Sequence, residues 1–184
     1  SLARHAAARP PPRPPHGAPR PRSCSSATYR PGLLGHGEGA TRLNTPTRLP
    51  STLGGERAVG VSAGAFHSLA LTGSGAIWSW GQGGLGALGH GDAQNQLLPK
   101  KAEALTGQRV VAASAGLYHS LALTAGGALW SWGGGGEGQL GHGDRQTHWQ
   151  PKKIEAFPGQ RVVAVSAGGH HSTAITADGA VWSW

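Results

Sequence analysis

The sequence is poor in residues that several kinds of functional site require. Its only cysteine is Cys24, so neither a disulfide framework nor a thiolate metal site can be built from these 184 residues. No stretch approaches the ~18 consecutive apolar residues that a membrane-spanning helix needs. We therefore expect no membrane span and no cysteine chemistry. The scarcity of cysteine fits a reducing compartment, either cytoplasmic or nuclear.

Acidic residues are also scarce, and the excess of positive charge lies in the first 31 residues. These contain eight prolines, six arginines and no acidic residue. Proline lacks an amide donor and fixes φ, so we expect a disordered or extended Pro/Arg-rich leader over residues 1–31. An organellar transit peptide and an arm that binds nucleic acid or an acidic partner are the alternatives, and neither is favoured.

The rest of the chain, residues 32–184, is close to neutral. It contains ten Lys and Arg against eight Asp and Glu. Proteins that bind nucleic acid usually carry a basic surface on the folded domain itself. For this region we therefore expect protein partners rather than nucleic acid.

What the sequence has in abundance is glycine, arranged within a repeat of 52 residues. Residues 107–132 and 159–184 are identical at nineteen of 26 positions, and a related passage occupies residues 56–80. A fixed period of this length is typical of a repeat architecture. We divide the repeat region into units at about 32–54, 55–106, 107–158 and 159–184, of which the first and last are partial.

Each unit contains four short strand candidates. In the second complete unit these are residues 109–115, 118–124 and 128–132, followed after a glycine-rich loop by residues 151–156. The period-two rule places both tryptophans of Trp130-Ser131-Trp132 on one face of their strand. The predicted fold is all-β, a partial β-propeller made of four-stranded antiparallel blades.

The landmarks of the unit are Ser114-Ala115-Gly116, His119-Ser120, Trp130-Ser131-Trp132-Gly133 and Leu140-Gly141-His142-Gly143. They resemble the repeats of the regulator of chromosome condensation family, over about residues 32–184. Members of that family are seven-bladed propellers. The resemblance implies that the chain holds about two complete units, plus partial ones, of such a ring.

The same resemblance implies three functions. The first is a scaffold for protein-protein interaction that binds partners through variable loops between strands. The second is guanine-nucleotide exchange on a small Ran-like GTPase, and the third is substrate recognition in a HECT-type ubiquitin ligase. A fold does not determine a function, but no catalytic constellation is visible, so we rank the scaffold first.

Comparison of the units separates residues that build each blade from candidates for a site. The GxGxxG matches at 81–86 and 133–138 precede Leu-Gly-His-Gly rather than a helix, so we interpret them as turns and not as a nucleotide site. His67, His119 and His171 recur as predicted core histidines. The His-Gly-Asp triplets offer too few metal ligands, and loop-bracing hydrogen bonds are expected there. We expect no cofactor, no metal and no catalytic residue.

The repeated tryptophans raise light absorption as an alternative. A plant photoreceptor of this fold absorbs ultraviolet light through Gly-Trp-Arg-His-Thr segments. The corresponding residues here, 64–68, 116–120 and 168–172, contain neither tryptophan nor arginine. Core packing is the favoured explanation for the tryptophan pairs.

The unrepeated residues fall just before each His-Ser pair and in the long loop of the second complete unit. An aromatic residue beside arginine and histidine on a loop is typical of an interface anchor. We predict a contact surface for a protein partner, with the alternative that Trp149 only covers the blade edge. The candidate residues are Phe66, Tyr118, Arg145, His148, Trp149 and His170.

Overall fold

The computed structural model describes residues 32–38, 42–50 and 53–184, and its regular structure there is almost entirely β. Apart from a 3-10 turn at Glu103–Leu105, the described residues form eleven strands in three antiparallel sheets. In this described part, no helix is long and apolar enough to cross a membrane. The predicted all-β fold with antiparallel blades is confirmed, whereas the predicted leader over residues 1–31 lies outside the described residues.

Each sheet follows the chain in order as a meander. The first sheet contains β1 Ala58–Ala63, β2 His67–Thr72, β3 Ile77–Gly81 and β4 Gln96–Lys101. The second contains β5 Val110–Ala115, β6 His119–Thr124, β7 Leu129–Gly133 and β8 His148–Lys153. The third contains β9 Val162–Ala167, β10 Ser172–Thr176 and β11 Val181–Ser183.

The second and third strands of each sheet are joined by a hairpin that turns at a glycine. In the first sheet, Gly75 has φ of 91°, in the left-handed region that favours glycine, and the Ala76 amide donates to Thr72 Oγ1 at 3.2 Å. In the third sheet, Asp178 Oδ1 accepts the equivalent amide at 3.2 Å. The Asp-Gly pair that starts this turn is a strong hairpin signal in the sequence.

The fourth strand of the second sheet begins earlier than predicted. The sequence predicts a strand over residues 151–156, but β8 is His148–Lys153, so His148 and Trp149 lie on a strand and not on a loop. Pro151 does not start the strand. It falls where the register shifts, between the pairs Ser131–Lys152 and Gly133–His148, and a missing amide donor is tolerated at such an irregularity.

Apolar side chains fill the space between consecutive sheets. Leu69, Ile77 and Trp132 belong to the buried cluster between the first and second sheets, and Trp130 packs against the same cluster. The prediction that both tryptophans share one face is therefore confirmed, and with it their role in core packing. β6 is buried along its whole length because it has a neighbouring sheet on each face.

A set of three hydrogen bonds joins the first sheet to the second, and we call it the clasp. His67 Nε2 donates to Ser120 Oγ at 2.8 Å, and Ser120 Oγ donates to the Ala87 carbonyl at 2.8 Å. Trp132 Nε1 donates to the same carbonyl, also at 2.8 Å. Since the serine hydrogen points to Ala87, the imidazole must supply the other hydrogen, which assigns the proton of His67 to Nε2.

The same clasp joins the second sheet to the third. His119 Nε2 donates to Ser172 Oγ at 2.9 Å, and Ser172 Oγ donates to the Gln139 carbonyl at 2.8 Å. Trp184 Nε1 also donates to this carbonyl, at 2.9 Å. Both histidines are fully buried. For His67 and His119 the prediction of core histidines rather than bases is confirmed, with Nε2 hydrogen-bonded and Nδ1 without a hydrogen-bond partner. For His171 the prediction is wrong, because this residue is exposed and lies just before β10, where no described sheet follows to bury it.

The glycine of the Ser-Ala-Gly turn makes room for the clasp. A Cβ at Gly116 would lie 2.5 Å from His119 Cε1 and 2.6 Å from the Gly168 carbonyl oxygen of the next sheet. Neither the ring nor the backbone can move aside within the stack, because the His119 ring is also bonded to Ser172. Only glycine fits at this point of closest approach.

The third sheet is covered on one face only. Ile175 is 41% exposed and Val181 is 74% exposed, although the equivalent Leu123 and Leu129 of the second sheet are buried. In the second sheet, these positions are covered by the sheet that follows. The described residues therefore leave one apolar blade face open to solvent.

Replacement of Ser120 by alanine should destabilise the protein through the clasp. The change leaves the His67 Nε2 hydrogen buried without its acceptor and removes one donor from the Ala87 carbonyl, which should cost about 1–3 kcal/mol of unfolding free energy. Urea unfolding of the full chain measures this difference. Replacement of the exposed Ser183 by alanine is the matched control. Equal midpoints for the two variants would contradict the role of the clasp.

Candidate functional site

All six candidate contact residues lie at one end of the stacked sheets, which we call the loop end. Phe66, Tyr118 and His170 occupy the turns between the first and second strands of the three sheets. The long loops begin beside them, because the Gln82 amide donates to the Phe66 carbonyl at 2.8 Å and the Gly134 amide donates to the Tyr118 carbonyl at 2.9 Å. The opposite end, formed by the glycine hairpins, is called the hairpin end.

Three rings at the loop end form an aromatic row that crosses all three sheets. Phe66 and Tyr118 are stacked, with ring centroids 4.9 Å apart and planes 17° apart. The Tyr118 and His170 rings follow at 6.2 Å and 51°. The first two rings are half-buried and His170 is exposed. Phe66 and Tyr118 directly precede the clasp histidines His67 and His119, so the packing of the sheets fixes the spacing of these two rings.

A second group surrounds the start of β8. The His148 ring meets the edge of the His142 ring at 4.8 Å, and His148 Nε2 lies 3.8 Å from Asp144 Oδ1. The Gln146 amide donates to Asp144 at 3.0 Å, and this hydrogen bond is the main cause that lowers the pKa of the carboxyl group. Arg145 is exposed beside it. The group therefore presents one cation, one carboxylate and two imidazoles on a short length of chain.

Trp149 packs against the loop of the preceding sheet. A Cβ at Gly86 would lie 3.0 Å from Trp149 Cα and 3.1 Å from its Cε3, and the Gly91 amide donates to the Trp149 carbonyl at 2.9 Å. In the preceding unit, Leu97 accepts the equivalent bond from Gly37. Trp149 thus has the blade-edge contact of the alternative interpretation, while 38% of the residue stays exposed.

Leu85 lies between the aromatic row and Trp149, and the sequence analysis missed it. A Cβ at Gly134 would lie 3.4 Å from Tyr118 Cβ and 3.7 Å from Leu85 Cδ1. Leu85 is 43% exposed and directly precedes Gly86, on which Trp149 packs. The next unit has Glu137 at the equivalent position, so the comparison of units contained the signal that would have found it.

The histidines of Leu-Gly-His-Gly brace their own loops, as predicted. His142 Nε2 lies 2.9 Å from Ser131 Oγ, which donates to the Leu140 carbonyl at 2.7 Å. Burial is the main cause that lowers the pKa of His142. Among the described residues, no group of three or more His, Cys, Asp or Glu side chains is arranged to hold a metal ion.

Both GxGxxG matches form turns. The Gly86 amide donates to the Gly83 carbonyl at 2.8 Å, and the Gly138 amide donates to the Gly135 carbonyl at 2.9 Å. No helix follows either match within the described residues. The helix N-terminus that a dinucleotide pyrophosphate requires is therefore missing at both matches, which supports the interpretation as turns.

The charges of the two long loops are unbalanced. Residues 82–95 and 134–147 contain the carboxylates of Asp92, Glu137 and Asp144 against the single cation Arg145. Asp92 holds its loop through a bond that it accepts from the Gln94 amide at 2.9 Å. The loop end therefore combines a partly exposed aromatic row with a small excess of negative charge.

The stability of the protein should fall in mild acid because of His67 and His119. Burial is the main cause that lowers the pKa of each from 6.5 to about 4. The unfolded chain takes up these protons near pH 6.5, and the folded protein only near pH 4. Their contribution to stability is therefore complete above pH 6.5 and is lost as the pH falls to 4, on the order of 3 kcal/mol per histidine.

Urea unfolding across this pH range measures the effect. His119→Gln should remove about half of the pH dependence, since two equivalent histidines carry it. His36→Gln, which removes a partly exposed imidazole that neither clasp contains and that does not act on either clasp histidine, is the control. An unchanged pH dependence in His119→Gln would show that other groups are responsible.

Two family models each match the chain twice. A model of the regulator of chromosome condensation (RCC1) repeat matches residues 74–123 and 126–175. A second model of the same repeat matches residues 58–87 and 110–139. Together the two copies of the first model cover more than half of the chain.

Two curated relatives show similarity over most of this chain. The ultraviolet-B receptor UVR8 of Arabidopsis thaliana is 41% identical over 162 residues, which is 88% of this chain and 36% of the receptor. The E3 ubiquitin-protein ligase HERC2 of Homo sapiens is 42% identical over 155 residues, which is 83% of this chain and 3% of the ligase. The chain thus spans about a third of the first relative and a small part of the second.

Two solved structures share the arrangement of the sheets. The crystal structure of Prp20p from Saccharomyces cerevisiae, described with its binding to Gsp1p and histones, has a TM-score of 0.72 and 25% identity. The match covers 85% of this chain and 40% of that one. Human WBSCR16 has a TM-score of 0.69 and 28% identity, over 75% of this chain and 35% of that one.

Proposed function

The chain belongs to the regulator of chromosome condensation (RCC1) repeat family, and we propose that it acts as a protein-interaction scaffold that binds its partner at the loop end. One observation carries this proposal. All six residues that differ between the units and have the composition of an interface anchor lie at the same end of the stack, and three of them form an aligned aromatic row.

The physical properties of the row suit a binding surface. Aromatic rings supply a large contact area with few rotatable bonds, and they are enriched among residues that dominate interface energies. The clasp holds the histidines that follow Phe66 and Tyr118, so little conformational entropy would be lost at these two rings when a partner binds. Arg145 and the exposed part of Trp149 extend the surface along the second sheet.

Guanine-nucleotide exchange on a Ran-like GTPase is the second candidate. The observation in its favour is the likeness to Prp20p, whose structure is described with its binding to Gsp1p. Exchange requires no catalytic side chain of the propeller, only a surface that loosens the nucleotide. We rank it below the scaffold because none of the described residues identifies such a wedge.

Substrate recognition within a HECT-type ubiquitin ligase is the third candidate, and the similarity to HERC2 supports it. This function also uses the propeller as a binding surface, so it is a special case of the scaffold. Under each of the three candidates the partner is a protein, and we propose a cytoplasmic or nuclear location.

The scaffold proposal predicts that partner binding depends on the loop end. In quantitative affinity capture with the full chain, the double variant Phe66→Ala/Tyr118→Ala should lose specifically retained proteins, because the central rings of the row are gone. Lys153→Ala, an exposed change at the end of β8 away from the row, should retain them. Retention that depends on Lys153 and not on the two rings would contradict the assignment of the surface.

The ranking of the candidates predicts no exchange activity. Ran and a panel of other small GTPases, each loaded with fluorescent GDP, are mixed with the full chain and the decay of fluorescence is followed. We expect release at the intrinsic rate of each GTPase. Faster release from any one of them would overturn the pure scaffold in favour of the second candidate.

A further inference from the structure

The leader joins the described structure beside the aromatic row. The Leu33 carbonyl accepts hydrogen bonds from Ser68 Oγ at 3.2 Å and from Trp80 Nε1 at 3.1 Å. A Cβ at Gly81 would lie 3.3 Å from Leu33 Cδ2 and 2.6 Å from the Phe66 carbonyl oxygen. The point at which residues 1–31 are tethered is therefore at the loop end, next to the first ring of the row.

The charge of the leader complements that of the loop end. Residues 1–31 contain six arginines and no acidic residue, whereas the two long loops contain three carboxylates and one arginine. Such complementarity attracts the leader to this end of the stack, most strongly at low ionic strength. The hairpin end offers no comparable aromatic row among the described residues.

The side chains of the leader also suit the row. Residues 9–15 read Arg-Pro-Pro-Pro-Arg-Pro-Pro. Proline-rich segments dock on aromatic surfaces, and arginine planes stack on aromatic rings. Seven residues of extended proline-rich chain span about 20 Å. This exceeds the two centroid spacings of 4.9 and 6.2 Å, so one segment can cover all three rings.

The tether is long enough for this contact. Sixteen residues separate Pro15 from Gly32. Covalent geometry alone lets sixteen residues reach any distance up to about 50 Å. The tether also holds the segment near the row at an effective concentration in the millimolar range. Even a weak contact is then substantially occupied, which favours the chain's own segment over a segment of another molecule.

We propose that residues 9–15 dock on the aromatic row of the same chain and cover it until a partner displaces them. The inference rests on the proposed function, because the covered surface is the one assigned there to a partner. It adds regulation of that surface by competition. A partner must then bind the row more strongly than the tethered segment does at its effective concentration.

Paramagnetic relaxation tests the contact in the full chain without any partner. Cys24→Ser/Ala8→Cys leaves one thiol just before the proposed docking segment, and a nitroxide is attached to it. If the segment docks with roughly half occupancy, amide signals of Phe66, Tyr118 and His170 should lose about half of their intensity. The hairpin-end glycines, one in each sheet, should keep theirs and serve as internal controls. They are Gly75, Gly127 and Gly179.

Two charge variants distinguish docking of residues 9–15 from a general electrostatic attraction between the whole leader and the loop end. Arg9→Glu/Arg13→Glu should restore the signals of the row. Arg20→Glu/Arg22→Glu makes the same change of charge outside the docking segment and should leave the broadening in place. Neither pair lies within the repeat region, so both should fold as the parent does. Tyr118→Ala removes the central ring and should also restore the signals.

Three outcomes would overturn the proposal. The first is the absence of broadening at the row, and the second is equal recovery in both pairs of arginine variants. The third is equal broadening when isotope-labelled chains without nitroxide are mixed with nitroxide-bearing chains, which would assign the contact to a second copy. Since no partner is present, failure here leaves the capture experiment unaffected, and failure of that experiment leaves this one valid.

Discussion

The hydrogen bonds of the clasp are the constraint on which the remaining structure depends. One loop carbonyl accepts hydrogen bonds from a serine and a tryptophan of the next sheet. A buried imidazole donates a hydrogen bond to the same serine. This geometry requires tryptophan at the end of the third strand, histidine and serine at the start of the second, and glycine where the ring meets the backbone. The repeated residues of each unit are therefore those that adjacent sheets need in order to stack.

Function is left to the positions that the clasp does not use. The residue at this position changes from Phe66 to Tyr118 to His170. In the first two units it is followed by a histidine that the clasp holds in place. A position with a rigid backbone and a variable side chain is well suited to binding. The rigid backbone lowers the entropy cost, and the side-chain type can change to fit a partner. The loop end can thus change its partner without any change in the way the sheets pack.

Much of this could be predicted from the sequence, because the same residues recur in each unit. The period, the all-β fold, the turn glycines and two of the three core histidines follow from comparison of the units. His171 is exposed because no described sheet packs on the third one. The start of β8 could not be predicted, since Pro151 reads as a strand boundary and the register shift that accommodates it is a property of the pair of strands. The carbonyl that accepts the clasp hydrogen bonds could not be predicted from the sequence either. It is a backbone carbonyl, and its residue is Ala87 in one unit and Gln139 in the next.

The constant spacing of the clasp residues makes the two sheet-sheet interfaces equivalent to each other. Each imidazole and the serine that it contacts are separated by 53 residues, in both junctions. Removal of one whole period, residues 107–158, would place His67 opposite Ser172 and the Ala87 carbonyl opposite Trp184, with the same donors and acceptors as before. Blades can therefore be gained or lost by duplication or deletion of a single period, and every new junction already has its hydrogen bonds.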